Sequence, residues 1–132
     1  MSELRIGDRV EVTEKNSGLK YRGVLVRNDL EQENRAKKTG PWIDQTFVRF
    51  DNEDKEEVYR YWLKRDSFLY VRDHGKCFIK TIEYDRPRRK VMSLRVSEDS
   101  GGYNVHTREF NITTEDITSI LVYNFAYNTV AL

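Results

Sequence analysis

Short runs of alternating apolar and polar residues recur along the chain, and this period of two is the pattern of a half-buried strand. In RVEVT (Arg9–Thr13) Val10 and Val12 share one face. In YRGVLVRN (Tyr21–Asn28) the residues Tyr21, Gly23 and Leu25 oppose Arg22, Val24 and Val26. TFVRF (Thr46–Phe50), EEVYRYWL (Glu56–Leu63) and SFLYV (Ser67–Val71) carry the β-branched and aromatic residues that strands favour. Between the third and fourth runs lies the polar tip Asp51-Asn52-Glu53-Asp54-Lys55, so Val48–Trp62 is expected to form a hairpin. Strands this short and closely spaced predict a small closed barrel, because closure removes exposed edges.

After Arg72–Lys76 the same grammar resumes. CFIKTIEY (Cys77–Tyr84), KVMSLRVSE (Lys90–Glu98), GYNVHTREFNI (Gly102–Ile112) and ITSILVYNFAY (Ile117–Tyr127) predict four further strands. Turns are expected at Asp85-Arg86-Pro87 and Asp99–Gly102, and a threonine-capped helical turn over Thr113–Asp116. The chain therefore divides into a barrel over 1–72 and a second small antiparallel β module over 76–132, joined near Asp73–Gly75. A single continuous β domain is the alternative. The apolar C-terminal segment NFAYNTVAL (Asn124–Leu132) is expected to pack at the junction of the modules, with homodimerisation through it left open.

One connection is long. From Arg27 to Gln45 the sequence has a helical pattern: Asn28 or Asp29 as cap, acids early, Arg35, Lys37 and Lys38 late, then Gly40-Pro41 as a stop. An insert of this length between strands is either functional or mobile.

Composition narrows the functional classes. With 23 Lys+Arg against 22 Asp+Glu the net charge is +1, so any electrostatic site must be a local patch. The single cysteine excludes an internal disulfide and suits a reducing compartment. No apolar run reaches the length of a membrane span, and MSELRIGDRVEV lacks a signal-peptide core. An intracellular protein without membrane contact is expected. His74 and His106 fall in different modules and neither has a motif partner, so no enzyme, no cofactor and no metal site is expected.

The stretch IGDRVEV…YRGVLV…VRFDNEDKEEVYRYWL resembles the Tudor/KOW group of SH3-like barrels, over roughly Ile6 to Val71. The resemblance implies an SH3-like barrel with a long insert between its second and third strands. Members of that group recur in transcription and ribosome factors and in small phage-encoded proteins that redirect host transcription. Those members that read methylated side chains hold the cation in a cage of rings. By position Tyr21 and Phe50 match two cage walls, while Thr13 and Glu53 stand where the others belong; Trp42, Tyr59, Tyr61 or Trp62 are candidate substitutes. The simpler reading makes these rings barrel core. In the second half, KTIEYDRPRRKVMSLRV and YNVHTREFNITTEDITSILV resemble the Sm-like β unit of bacterial WYL modules, with Tyr84, Arg95, Arg108, Phe110 and Ile117 at its marked positions. The Trp-Tyr-Leu signature is absent.

The sharpest local feature is EYDRPRRK, where Arg86, Arg88, Arg89 and Lys90 surround Pro87 and Tyr84 stands beside them. Guanidinium forks suit phosphates, and an adjacent ring can stack on a base. Arg35, Lys37 and Lys38, followed by Trp42 in the insert, make a second basic group, and Lys20 and Arg22 flank the first hairpin. The leading expectation is a non-catalytic regulatory protein that binds DNA or RNA mainly through phosphates. The alternatives are a module or inhibitor docking on a protein partner, for which Tyr, Trp and Arg are favoured contact residues, and a methyl-mark reader.

Overall fold

A computed structural model of the protein describes residues 4–28, 45–65, 67–87, 90–98, 108–123 and 126–132. The period-two runs form strands: β1 (Arg9–Glu14), β2 (Lys20–Asn28), β3 (Gln45–Phe50), β4 (Phe68–Val71), β5 (Gly75–Asp85), β6 (Lys90–Glu98), β7 (Glu109–Ile112), β8 (Ile117–Tyr123) and β9 (Tyr127–Ala131). One helix, α1 (Lys55–Trp62), and a 3-10 turn over Thr114–Asp116 complete the regular structure described. The protein is mainly β. The strand order is β3-β2-β1-β9 in one compact unit and β7-β6-β5-β4 in the other, where Ile117–Ile120 of β8 lies beside β4.

Two compact units result, Met1–Asp54 with Leu121–Leu132, and Lys55–Ile120. In the first, β1 pairs with β2 in the register Val10↔Gly23, and β2 with β3 through Gly23↔Phe50, both antiparallel. The alternation does what the sequence demands: Val10, Val12, Leu25, Phe47 and Val48 are buried, while Arg22 and Arg49 point to solvent. Gly23 is glycine for a packing reason. A Cβ there would lie 2.4 Å from the Arg49 carbonyl oxygen and 2.8 Å from Val48 Cγ1. The division expected at 72–76 follows chain order, but the compact units do not, because β9 returns to pair with β1 (Val12↔Thr129). Of Asn124–Leu132, the described residues include β9, a strand beside β1 within the first unit. The single strand expected over Ile117–Tyr127 is found as two, β8 ending at Tyr123 and β9 beginning at Tyr127, and the Ala126 N–H donates to the Tyr123 carbonyl at 3.0 Å.

In the second unit, β4 pairs antiparallel with β5 (Leu69↔Cys77), β5 with β6 (Ile79↔Val96) and β6 with β7 (Val96↔Phe110). Leu69, Cys77, Ile79, Leu94 and Val96 fill its core. The expected linker at Asp73–Gly75 is instead a tight β4–β5 hairpin. Asp73 (φ 66°) and Gly75 (φ 76°) take the left-handed backbone such a turn requires. At the 3-10 turn the Thr113 N–H donates to the Asp116 carboxylate at 3.1 Å.

The largest correction concerns Glu56–Leu63, expected as a strand and found as α1. Val58, Tyr59 and Trp62, at helical spacing, form its buried face. Glu56 and Glu57 in the first turn and Arg60 in the last complement the helix dipole. Val48–Trp62 is therefore a strand, a turn and a helix rather than a hairpin. The insert helix and the basic and aromatic residues Arg35, Lys37, Lys38 and Trp42 lie outside the described residues, as do Arg88, Arg89 and His106.

A candidate nucleic-acid interface of two arginines and two tyrosines

Within the second unit, α1 and the β5–β6 hairpin bring together side chains more than twenty positions apart. Arg60 and Tyr61, at the C-terminal end of α1, and Tyr84 and Arg86, at the end of β5 and in the turn beyond it, line an open cleft of about 430 Å³. The helix makes this possible. With Val58, Tyr59 and Trp62 turned inward, Arg60 and Tyr61 fall on the outer face. On the strand side, a register irregularity between Glu83 and Tyr84 interrupts the alternation just before the turn. Tyr61 is 48% and Tyr84 42% exposed, so both rings are open to solvent at the cleft.

The cleft is organised internally. The Arg60 guanidinium carbon lies 4.6 Å from the centre of the Tyr61 ring, and an Arg60 terminal nitrogen donates to the Tyr61 hydroxyl. Arg60 is thus held over the ring by a cation–π contact and a hydrogen bond together. Beside the hairpin turn Lys90 pairs with Glu56, Nζ to Oε1 2.7 Å, and that hydrogen bond holds the Glu56 carboxyl below its ordinary range. Lys90, expected among the phosphate ligands, therefore already has an anion beside it.

The other sequence candidates are placed differently. Lys20 and Arg22 belong to the first unit, where both lie near Glu11 of β1, at 3.9 and 3.6 Å. Arg9 makes a bidentate pair with Asp51 at 2.8 and 2.9 Å, which lowers the Asp51 carboxyl through the hydrogen bond from Arg9. These pairs give that surface mixed sign. Tyr21 and Phe50 are only 3% and 4% exposed and meet edge to face, ring centres 6.5 Å apart. A cation cage needs open ring faces, so these two rings are packing groups. Tyr59 is core as well, and burial pushes its hydroxyl up to about 12. Of the rings offered for an aromatic pocket, Tyr61 alone is both described and exposed.

Arg60 is the cleft residue that the sequence reading missed. The signal was present: acids at Glu56 and Glu57, a base at Arg60, and buried positions at i, i+1 and i+4 describe a short helix as well as a strand.

Cys77 is buried, and His74 stacks on Phe110 at 4.2 Å with Nδ1 3.0 Å from Glu98 Oε1. Among the described residues no cluster of three or more His, Cys, Asp or Glu side chains is placed to hold a metal ion. Among them, too, no helix is long and apolar enough to cross a membrane. No protein-family model, curated protein or solved structure matches the chain.

Proposed function

We propose that this protein binds nucleic acid without catalysing a reaction on it, and that the cleft of Arg60, Tyr61, Tyr84 and Arg86 is the contact site. The observation that carries this reading is the convergence of two guanidinium groups and two exposed rings from a helix and a hairpin on one cleft. Guanidinium groups take phosphate oxygens through paired N–H donors, and rings take base faces. One cysteine, buried, accords with a reducing compartment and an intracellular role. A regulatory role of the kind the Tudor/KOW resemblance implies is part of the same proposal.

The test is fluorescence anisotropy of labelled mixed-sequence oligonucleotides, duplex and single-stranded, at low and at physiological salt. Binding that weakens with salt and is lost in Arg60→Ala/Arg86→Ala supports the reading. No binding to either form at low salt rejects it.

The first unit supports a second reading. Its basic side chains Arg9, Lys20 and Arg22 alternate with Asp51 and Glu11, a pattern suited to a protein partner rather than a phosphate backbone. Retention of a partner protein by a Lys20→Glu/Arg22→Glu variant as strongly as by the wild type would reject that surface.

A further inference from the structure

We infer that the cleft takes unpaired nucleotides, so that the ligand is single-stranded nucleic acid in preference to duplex. This rests on the nucleic-acid reading above and adds the substrate class.

Duplex binding through the backbone needs cations along a surface and gains little from aromatic side chains, because the bases are already stacked on each other. The cleft sets exposed rings beside its cations. Among the described residues its cations are Arg60 and Arg86, and the neighbouring Lys90 is paired with Glu56. Its rings, Tyr61 and Tyr84, are 48% and 42% exposed at the same place. A volume of about 430 Å³ falls in the range of small-ligand sites and suits a nucleotide or so of splayed strand, not the side of a helix.

Arg60 strengthens the point. Its guanidinium is already oriented over Tyr61 before any ligand arrives, by the 4.6 Å ring contact and the bond to the hydroxyl. An unstacked base can lie on an arginine plane as readily as on a ring. Arg60 on Tyr61 therefore presents a two-layer platform from the helix, and Tyr84 with Arg86 presents a ring and a phosphate fork from the hairpin. Stacking platforms of this kind are tolerant of sequence, since every base has a face to offer.

The test uses the full chain and compares a labelled oligothymidine with the same strand hybridised to oligoadenine, by anisotropy at low salt. The single strand is expected to bind roughly tenfold or more tightly than the duplex. Tyr61→Ala/Tyr84→Ala is expected to lose roughly tenfold or more in single-strand affinity, with Tyr61→Phe/Tyr84→Phe close to wild type. Thermal melting of each variant checks that the fold is retained, and the phenylalanine pair reports on stacking even if the alanine pair unfolds. Quenching of tyrosine fluorescence by oligothymidine gives a second readout, expected in wild type and absent in the alanine pair. Equal binding of both forms, unaffected by either tyrosine substitution, would overturn the single-strand inference while leaving phosphate binding intact. Binding of neither form would overturn both. Displacement of the strand by polyglutamate at equal charge concentration would overturn it in favour of an acidic protein segment.

Discussion

Lys90 Nζ lies 2.7 Å from Glu56 Oε1, joining the start of β6 to the first turn of α1. Glu56 is one helical turn before Arg60, so its carboxylate places a negative charge near that arginine as well as beside the lysine. Glu56→Gln removes the anion and releases the lysine. Nucleic-acid affinity is expected to rise roughly two- to fivefold, the range of a single exposed ion pair. The melting temperature should hardly move, since both partners face solvent. Weaker binding in anisotropy would show that the pair shapes the site rather than shielding it.

Trp62 closes the buried face of α1 at 7% exposure. Trp62→Ala is expected to cost about 3–5 kcal/mol in urea denaturation, through lost burial and the cavity left behind. Because α1 carries Arg60 and Tyr61, strand affinity should fall with it. A wild-type melting profile would contradict the packing described for the helix.

Much of this was legible in the sequence, and the failures share a cause. Alternation placed β1, β2, β3, β5 and β6, because Val10, Val12, Tyr21 and Leu25 each fall on the face that burial requires. It failed at Val58–Trp62, where Val, Tyr and Trp are strong strand formers and alternate over a few residues. The helix wins there because its face buries Val58, Tyr59 and Trp62 together. The return of β9 to β1 depends on a pairing across more than a hundred residues, which no local pattern encodes. The cleft was half legible. Tyr84 and Arg86 stood out as a basic turn beside a ring, but Arg60 becomes a neighbour only once Glu56–Leu63 is a helix.

Gly23 has no room for a side chain, with the Arg49 carbonyl oxygen 2.4 Å and Val48 Cγ1 2.8 Å from an added Cβ. Relief requires the β2–β3 ladder itself to shift. Gly23→Ala is expected to destabilise the protein by about 1–3 kcal/mol in urea denaturation. An unchanged denaturation midpoint would show that the two strands are not in the register Gly23↔Phe50.

Burial raises the Tyr59 hydroxyl to about 12, above the value near 10 of an unfolded chain. The folded state therefore holds its proton more tightly. The associated stability is fully present below pH 10 and is lost as pH rises toward 12, by about 1 kcal/mol between pH 10 and 11. Tyr59→Phe lacks this proton, so its denaturation midpoint should fall less than that of the wild type over the same interval. Parallel loss in both proteins would contradict a buried hydroxyl.

The most direct test of nucleic-acid binding at the cleft is the salt dependence of oligonucleotide affinity in the wild type and in Arg60→Ala/Arg86→Ala. Neither arginine is part of the core, so the variant should melt as the wild type does. The expected result is binding that weakens with salt in the wild type and is lost, together with its salt slope, in the variant. Equal affinity and equal slope in the two proteins would place the contact elsewhere and contradict the assignment of the cleft.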